Sequence, residues 1–64
     1  MTDNKFWLAR EKDGSLWLHD NKPFCSSSGS WYSYYQMRIR NNDLFPEVTF
    51  ENSPQEFQLT PINH

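Results

Sequence analysis

The side chains of this sequence that could act as nucleophiles or soft metal ligands are Cys25, His19 and His64. A catalytic thiol needs a base within hydrogen-bond reach and a third group that orients the base. Cys25 and His19 could meet across the turn at residues 20–22, but no motif for an oxyanion hole accompanies them. The three residues also lack the spacing of zinc ligands. We therefore expect no catalytic residue, no metal and no cofactor, and we do not expect an enzyme.

The carboxylates of Glu47 and Glu51 come closest to an acid–base pair. They alternate with Val48 and Phe50, and this pattern is typical of a strand that turns its charged side chains to solvent. Residues 47–51 are therefore predicted to form a strand rather than a catalytic site.

Aromatic and arginine side chains alternate between Trp31 and Arg40. Trp31, Tyr35 and Ile39 are spaced four apart, which would suit one face of a helix. The alternation runs through the whole segment, however, and the aromatic cluster favours a strand. As a strand, the segment presents one row of polar and aromatic side chains: Tyr32, Tyr34, Gln36, Arg38 and Arg40.

Such a row has the components of a platform for single-stranded nucleic acid, where bases stack on rings and arginines contact phosphates. The candidate contacts are Tyr32, Tyr34, Arg38 and Arg40. Charge argues against this function, because the net charge is −2 and residues 41–64 carry four acidic groups and no lysine or arginine. Binding to nucleic acid depends on basic contacts. Nucleic acid is therefore the second candidate partner, after protein.

The clearest predicted element is a hairpin over residues 5–19, with its turn at Asp13-Gly14. A two-residue loop would mix apolar and charged side chains on both faces. A three-residue loop at residues 12–14 pairs Leu8 with Leu18 and gives one coherent apolar face. That face consists of Phe6, Leu8, Leu16 and Leu18. We predict the three-residue loop, which requires a left-handed Gly14 in a type I turn with a G1 bulge.

The opposite face of the hairpin also carries large apolar groups, on Trp7, Ala9, Trp17 and His19. A sheet with one face in water does not need two apolar faces. Two explanations remain open. The face is buried under another layer of the domain, or it contacts a partner, since exposed tryptophans are typical anchors of protein interfaces. The candidate protein contacts are Trp7, Trp17 and His19.

The rest of the chain consists of turns and short alternating runs. The predicted features are a turn at residues 20–23, a polar and mobile loop at 25–30, a helical turn at 43–46 capped by Asp43, and a last strand at 56–60. We predict an all-β fold, a small antiparallel meander of about five short strands. Its arrangement would be a half-open barrel or a two-layer sandwich.

The chain of 64 residues is expected to form one domain, residues 1–64, with disorder at 1–4 and 61–64. No apolar run reaches the length of a signal peptide core or a membrane span. A single cysteine fits a reducing compartment. We expect a cytoplasmic protein that does not contact a membrane.

Four segments of the chain resemble known proteins. They are Phe6-Trp7-Leu8-Ala9-Arg10, Lys12-Asp13-Gly14 with Leu16, Lys22-Pro23, and Leu44-Phe45-Pro46-Glu47-Val48-Thr49-Phe50-Glu51 with Pro54. Together they resemble a group of short proteins from gut Bacteroidales and their mobile elements. No activity is established for that group. The resemblance therefore implies a bacterial or phage-linked accessory protein and transfers no functional residue.

From these observations the sequence predicts a small non-enzymatic module. It would act through contacts with a protein partner or through self-association as a homodimer. The alternative is a module that binds single-stranded nucleic acid through the Tyr/Arg row.

Overall fold

A computed structural model describes residues 5–59, so the ends for which disorder is predicted, 1–4 and 61–64, lie outside the described residues. Within this range the chain forms six β-strands and no helix: β1 (Lys5–Arg10), β2 (Leu16–His19), β3 (Phe24–Cys25), β4 (Trp31–Tyr32), β5 (Gln36–Ile39) and β6 (Gln55–Gln58). All the strand pairs are antiparallel, and the expected all-β class is confirmed. No helical segment of residues 5–59 has the length and apolar character that crossing a lipid bilayer requires.

β1 and β2 form the predicted hairpin. Leu8 lies opposite Leu18, and beyond the paired strands the Glu11 amide donates to the Ser15 carbonyl oxygen at 2.8 Å. Gly14 has a φ of 92°, and its amide donates to the Glu11 carbonyl oxygen at 3.0 Å. These features belong to a three-residue loop with a G1 bulge. The predicted register and the left-handed Gly14 are confirmed.

The hairpin is the centre of a four-stranded sheet with the strand order β5-β2-β1-β6. β6 pairs with β1 so that Phe57 lies opposite Phe6, and β5 pairs with β2 so that Ile39 lies opposite Leu16. Since opposite residues share a face of the pleat, these pairs extend the predicted apolar face across all four strands. We call this side of the sheet the Phe6 face.

Residues 41–54 cover the Phe6 face without forming a strand or helix. Val48 from this segment is completely buried with Leu8 and Leu16. Phe45 packs against the same cluster, with its ring in edge contact with that of Phe57 at a centroid distance of 5.6 Å. An irregular segment, rather than a second sheet, therefore closes the main core.

Arg10 fastens this segment to the sheet. Its guanidinium donates five hydrogen bonds, all to backbone carbonyl oxygens: Val48 at 2.7 Å, Asn42 at 2.7 Å, Gly14 at 2.9 Å, Leu44 at 3.0 Å and Phe45 at 3.0 Å. The guanidinium has five N–H donors, so its donor capacity is matched by these acceptors. The backbone amide of Arg10 also donates to Ser53 Oγ at 2.8 Å. One side chain thus replaces the hydrogen bonds that a neighbouring strand would supply.

Two sequence predictions for this segment are wrong. Residues 47–51 are not a strand, because the Thr49 and Asn52 side chains each accept a hydrogen bond from the other's amide and close a turn. Residues 43–46 are not a helical turn capped by Asp43. Asn41 Oδ1 instead accepts from the Asp43 amide, and Phe45 has a left-handed φ of 51°, which interrupts a right-handed path.

Residues 31–40 do not form the single strand that their alternation predicts. β4 ends at Tyr32 and β5 begins at Gln36, and the two strands belong to different sheets. The Ser33 amide donates to Gln36 Oε1 at 3.1 Å, and its hydroxyl donates to the Tyr35 carbonyl oxygen at 2.7 Å. Local hydrogen bonds from a serine offer the backbone an alternative to a ladder, and here they break the strand.

β3 and β4 pair with each other as a separate two-stranded sheet. Their turn is the predicted polar loop, in which the Ser26 amide donates to the Ser30 carbonyl oxygen at 2.8 Å and Gly29 has a φ of 89°. The mobility of residues 25–30 stays a prediction. Glu11 Oε2 accepts a hydrogen bond from the Trp31 amide at 3.0 Å, which ties this second hairpin to the first.

Candidate interaction surface

The side of the four-stranded sheet opposite the Phe6 face carries Trp7, Ala9, Trp17 and His19, and we call it the Trp7 face. Ala9 and His19 have no exposed surface, and both tryptophans are half-buried. Lys22 Nζ lies 5.8 Å from the centroid of a Trp7 ring, within the range of a cation–π contact. Burial within the domain therefore accounts for Ala9 and His19, whereas Trp7 and Trp17 keep some surface that a partner could contact.

His19 lies at the centre of the contact between the first hairpin and the turn after β4. Its Nδ1 is 2.8 Å from Ser33 Oγ, and the Ser33 hydroxyl hydrogen is already given to the Tyr35 carbonyl oxygen. His19 Nδ1 therefore carries the hydrogen and donates it to Ser33. Its Nε2 is buried and accepts no hydrogen bond from the described residues.

Burial lowers the pKa of His19, and the negative charge of Asp20 partly opposes this shift. The imidazole is therefore held neutral as a structural link between the layers. His19 was predicted to contact a protein partner. Its side chain has no exposed surface in this structure, so it is in place to support the surface and not to touch a partner.

A chain of hydrogen bonds fixes Trp17. Its Nε1 donates to Ser15 Oγ at 3.1 Å, and that hydroxyl donates to Asp13 Oδ1 at 2.7 Å. The Ser15 hydroxyl, followed by the Ser15 amide, lowers the pKa of Asp13 by donating to its carboxylate. The ring of Trp17 is thus anchored through the turn of its own hairpin.

The predicted Tyr/Arg row does not exist as a flat platform, because the break at Ser33 separates its members. Tyr32 lies in β4, where its ring meets that of Phe24 edge to face at 4.3 Å. Tyr34 lies in the turn and is 88% exposed. Arg38 in β5 and Arg40 after it are exposed on the edge of the other sheet. All four candidates reach solvent, but the fold does not align them in one row.

Exposed apolar side chains are concentrated in one part of the chain. Among the described residues seven large hydrophobic side chains are exposed, and five of them lie between residues 24 and 37. We call these five the aromatic patch: Phe24, Tyr32, Tyr34, Tyr35 and Met37. In the predicted strand, Tyr35 and Met37 would lie on the side opposite the Tyr/Arg row. The serine within the aromatic run was the available signal that the strand breaks there.

The nucleophile–base pair considered from the sequence is not assembled. Cys25 is exposed on β3, whereas His19 is buried and its Nδ1 is used by Ser33. No cluster of three or more histidine, cysteine or acidic side chains within residues 5–59 is arranged to hold a metal ion.

Comparisons with protein-family models, curated proteins and solved structures find no match to this chain.

Proposed function

We propose that this protein is a non-enzymatic interaction module that associates with further copies of itself. The observation that carries the proposal is the aromatic patch, which leaves five large hydrophobic side chains in solvent, whereas four hydrophobic residues of the described chain are completely buried. Within the patch the rings of Phe24 and Tyr32 meet, as do those of Tyr34 and Tyr35, and exposed apolar groups of this kind are typical of contact sites. The complementary surface within this chain is the acidic segment, residues 41–59.

Charge favours a head-to-tail contact between copies. Arg38 and Arg40 lie beside the aromatic patch, while every charged residue from 41 to 59 is acidic and exposed. A symmetric contact through the aromatic patch would bring Arg38 and Arg40 of two copies together. Their positive charges would repel, so this contact is disfavoured. A basic surface of one copy against the acidic surface of the next is complementary.

The edges of the four-stranded sheet support the same contact. β5 and β6 are the two edge strands, and the pairing pattern makes them antiparallel to each other. β6 of one copy can therefore extend the sheet at β5 of the next with regular antiparallel hydrogen bonds. A register with Arg38 opposite Glu56 also sets Met37 opposite Phe57. The ion pair then lies on the Trp7 face, and the apolar pair lies on the Phe6 face.

A contact between two different edges does not close on itself as a two-fold dimer. We expect sedimentation velocity to show species that grow beyond the dimer as the protein concentration rises. Arg38→Glu and Glu56→Arg should each reduce this association, because each places like charges opposite one another. The double variant Arg38→Glu/Glu56→Arg has the net charge of the natural chain and should restore association.

The charge swap gives the proposal its decisive control. Circular dichroism establishes that each variant keeps its β structure, which is expected because both side chains are exposed. A monomer at all concentrations would contradict self-association. Association that is unchanged in both single variants, or that the double variant fails to restore, would contradict the β5–β6 contact.

Single-stranded nucleic acid is the alternative occupant of the patch, favoured by the exposure of Tyr34 beside the arginines of β5. Fluorescence anisotropy with mixed-sequence DNA and RNA oligomers distinguishes it. A monomer that binds oligomers with an affinity that falls steeply with salt would replace the proposed function, since each neutralised phosphate releases counterions.

A further inference from the structure

A groove of about 450 Å³ runs between the two hairpins. Three aromatic residues, two acidic residues and one glutamine are among those that line it: Trp17, Trp31, Tyr32, Glu11, Asp13 and Gln36. The volume lies within the range of about 300–1,000 Å³ that small-molecule sites occupy. The groove adjoins the β5–β6 contact proposed above, since Gln36 belongs to β5 and also lines the groove.

The groove is held in shape by hydrogen bonds that its walls make with one another. The Glu11 carboxylate accepts from the Trp31 amide, and the Asp13 carboxylate accepts from Ser15, which in turn accepts from Trp17 Nε1. Both tryptophans are therefore fixed by the same carboxylates that line the site. A site that is ordered before binding loses less conformational entropy when a ligand enters.

The chemistry of the lining selects a class of ligand. A phosphate or other anion is disfavoured because Glu11 and Asp13 face the groove with only Lys12 to oppose them. The Lys12 ammonium is itself placed over the Phe50 ring, 5.4 Å from its centroid. A purely apolar ligand would exclude water from the carboxylates and the amide and offer them no hydrogen bond in return. Rings for the carbon faces and acceptors for hydroxyl groups suit a neutral polyhydroxylated molecule.

We propose that this groove binds a neutral saccharide. The rings of Trp17 and Tyr32 pack against the apolar faces of the sugar. Glu11, Asp13 and Gln36 accept or donate hydrogen bonds at its hydroxyl groups. The groove is open rather than enclosed, so it can receive one unit within a longer oligosaccharide as readily as a free sugar.

The test is an NMR titration of the ¹⁵N-labelled protein with neutral tetrasaccharides of glucose, mannose and N-acetylglucosamine, each raised to its solubility limit. The indole N–H signals of Trp17 and Trp31 are expected to shift and saturate with one of them. The indole signal of Trp7 is the internal control, because Trp7 does not line the groove. Tyr32→Ala should weaken the affinity about tenfold, as expected for the loss of an aromatic anchor.

Two further variants keep the result interpretable. Tyr34→Ala removes an exposed ring outside the groove and should leave the affinity unchanged. Glu11→Gln keeps an acceptor for the Trp31 amide and should lower the affinity for a sugar only a few-fold. This variant replaces Tyr32→Ala as the test if Tyr32→Ala does not fold. The proposal is wrong if no tetrasaccharide shifts the Trp17 and Trp31 signals. It is also wrong if tetramethylammonium shifts them and Glu11→Gln abolishes that effect, since the groove would then be a cation site.

Discussion

Single residues with several partners hold this small fold together, and Arg10 is the foremost of them. Its five donors reach carbonyl oxygens that lie up to 38 residues away in the chain. Hydrogen bonds in which the donor is charged are stronger than neutral ones, and unpaired carbonyls would be left if the donor were removed. The covering segment therefore depends on the planar, five-donor geometry of a guanidinium.

Arg10→Lys should destabilise the protein by about 2–3 kcal/mol, because an ammonium keeps the charge but cannot reach all five acceptors. Urea unfolding followed by tryptophan fluorescence measures the change. Arg40→Lys, at an exposed position, is the matched control and should change the free energy of unfolding by less than about 0.5 kcal/mol. Equal effects of the two substitutions would show that the hydrogen bonds of Arg10 are not what secures the segment.

His19 gives the protein an acid-sensitive link. Because its pKa is lowered in the folded protein, the unfolded chain takes up the proton first. Stability should therefore be level above a pH of about 6.5, and it should decline as the pH falls from there to the folded-state pKa of His19. Titration of the His19 ring signals by NMR checks the shift. In Asp20→Asn the folded-state pKa should fall further, since the opposing negative charge is lost, and a rise in this variant would contradict the assignment.

Among the elements of the fold, the first hairpin is the one in which every local sequence signal predicts the same structure. Its alternation, its turn residues and its cross-strand pairs all specify the same three-residue loop. Gly14 is essential to that loop for its backbone alone, because no atom from beyond its own chain neighbours lies within 4 Å of the place where a Cβ would stand. Its φ of 92° is one that residues with a side chain rarely adopt.

Gly14→Val should therefore cost on the order of 1–2 kcal/mol through backbone strain and not through a steric clash. The measurement is again the free energy of unfolding in urea. Gly14→Asn provides the comparison, since asparagine tolerates left-handed conformations better than valine and should cost less. If valine and asparagine prove equally tolerated, the loop does not need a left-handed residue.

In the described part of the molecule, the four-stranded sheet has a different cover on each face. Residues 41–54 close the Phe6 face through Val48 and Arg10, and residues 20–35 return to the Trp7 face through His19 and Glu11. Few side chains are completely buried in this arrangement, so each contributes a large part of the stability. Within residues 5–59, Val48 is the one completely buried hydrophobic residue that lies outside the central hairpin.

Val48→Ala should destabilise the protein by about 1–3 kcal/mol, because it removes buried apolar surface and leaves a cavity under the covering segment. Glu51→Ala, an exposed position in the same segment, should be nearly neutral. Differential scanning calorimetry compares the two variants under one set of conditions. A Val48→Ala protein as stable as the natural chain would mean that the segment does not contribute to the core.

The sequence alone determined the first hairpin, its register and the all-β class. The hairpin is predictable because its contacts are local: each of its cross-strand pairs joins residues at most 12 positions apart, from Trp7 to His19. The alternation of side chains then assigns these residues to two faces. The alternation also distinguished Val48 from its charged neighbours, and Val48 is completely buried although residues 47–51 are not a strand. Periodicity reports which side chains are buried and not how the backbone satisfies its hydrogen bonds.

Tertiary structure decided everything that depends on a distant partner. Four carbonyl oxygens of residues 42–48 accept hydrogen bonds from Arg10, and Ser33 is linked to His19, 14 positions earlier in the chain. Local side-chain hydrogen bonds interrupt the two predicted strands, and these distant contacts hold the resulting segments against the sheet. The break at Ser33 leaves Tyr34 and Tyr35 on the surface. No local pattern contains a hydrogen bond between residues so far apart. The interaction surface therefore follows from the fold, while the hairpin that supports it follows from the sequence.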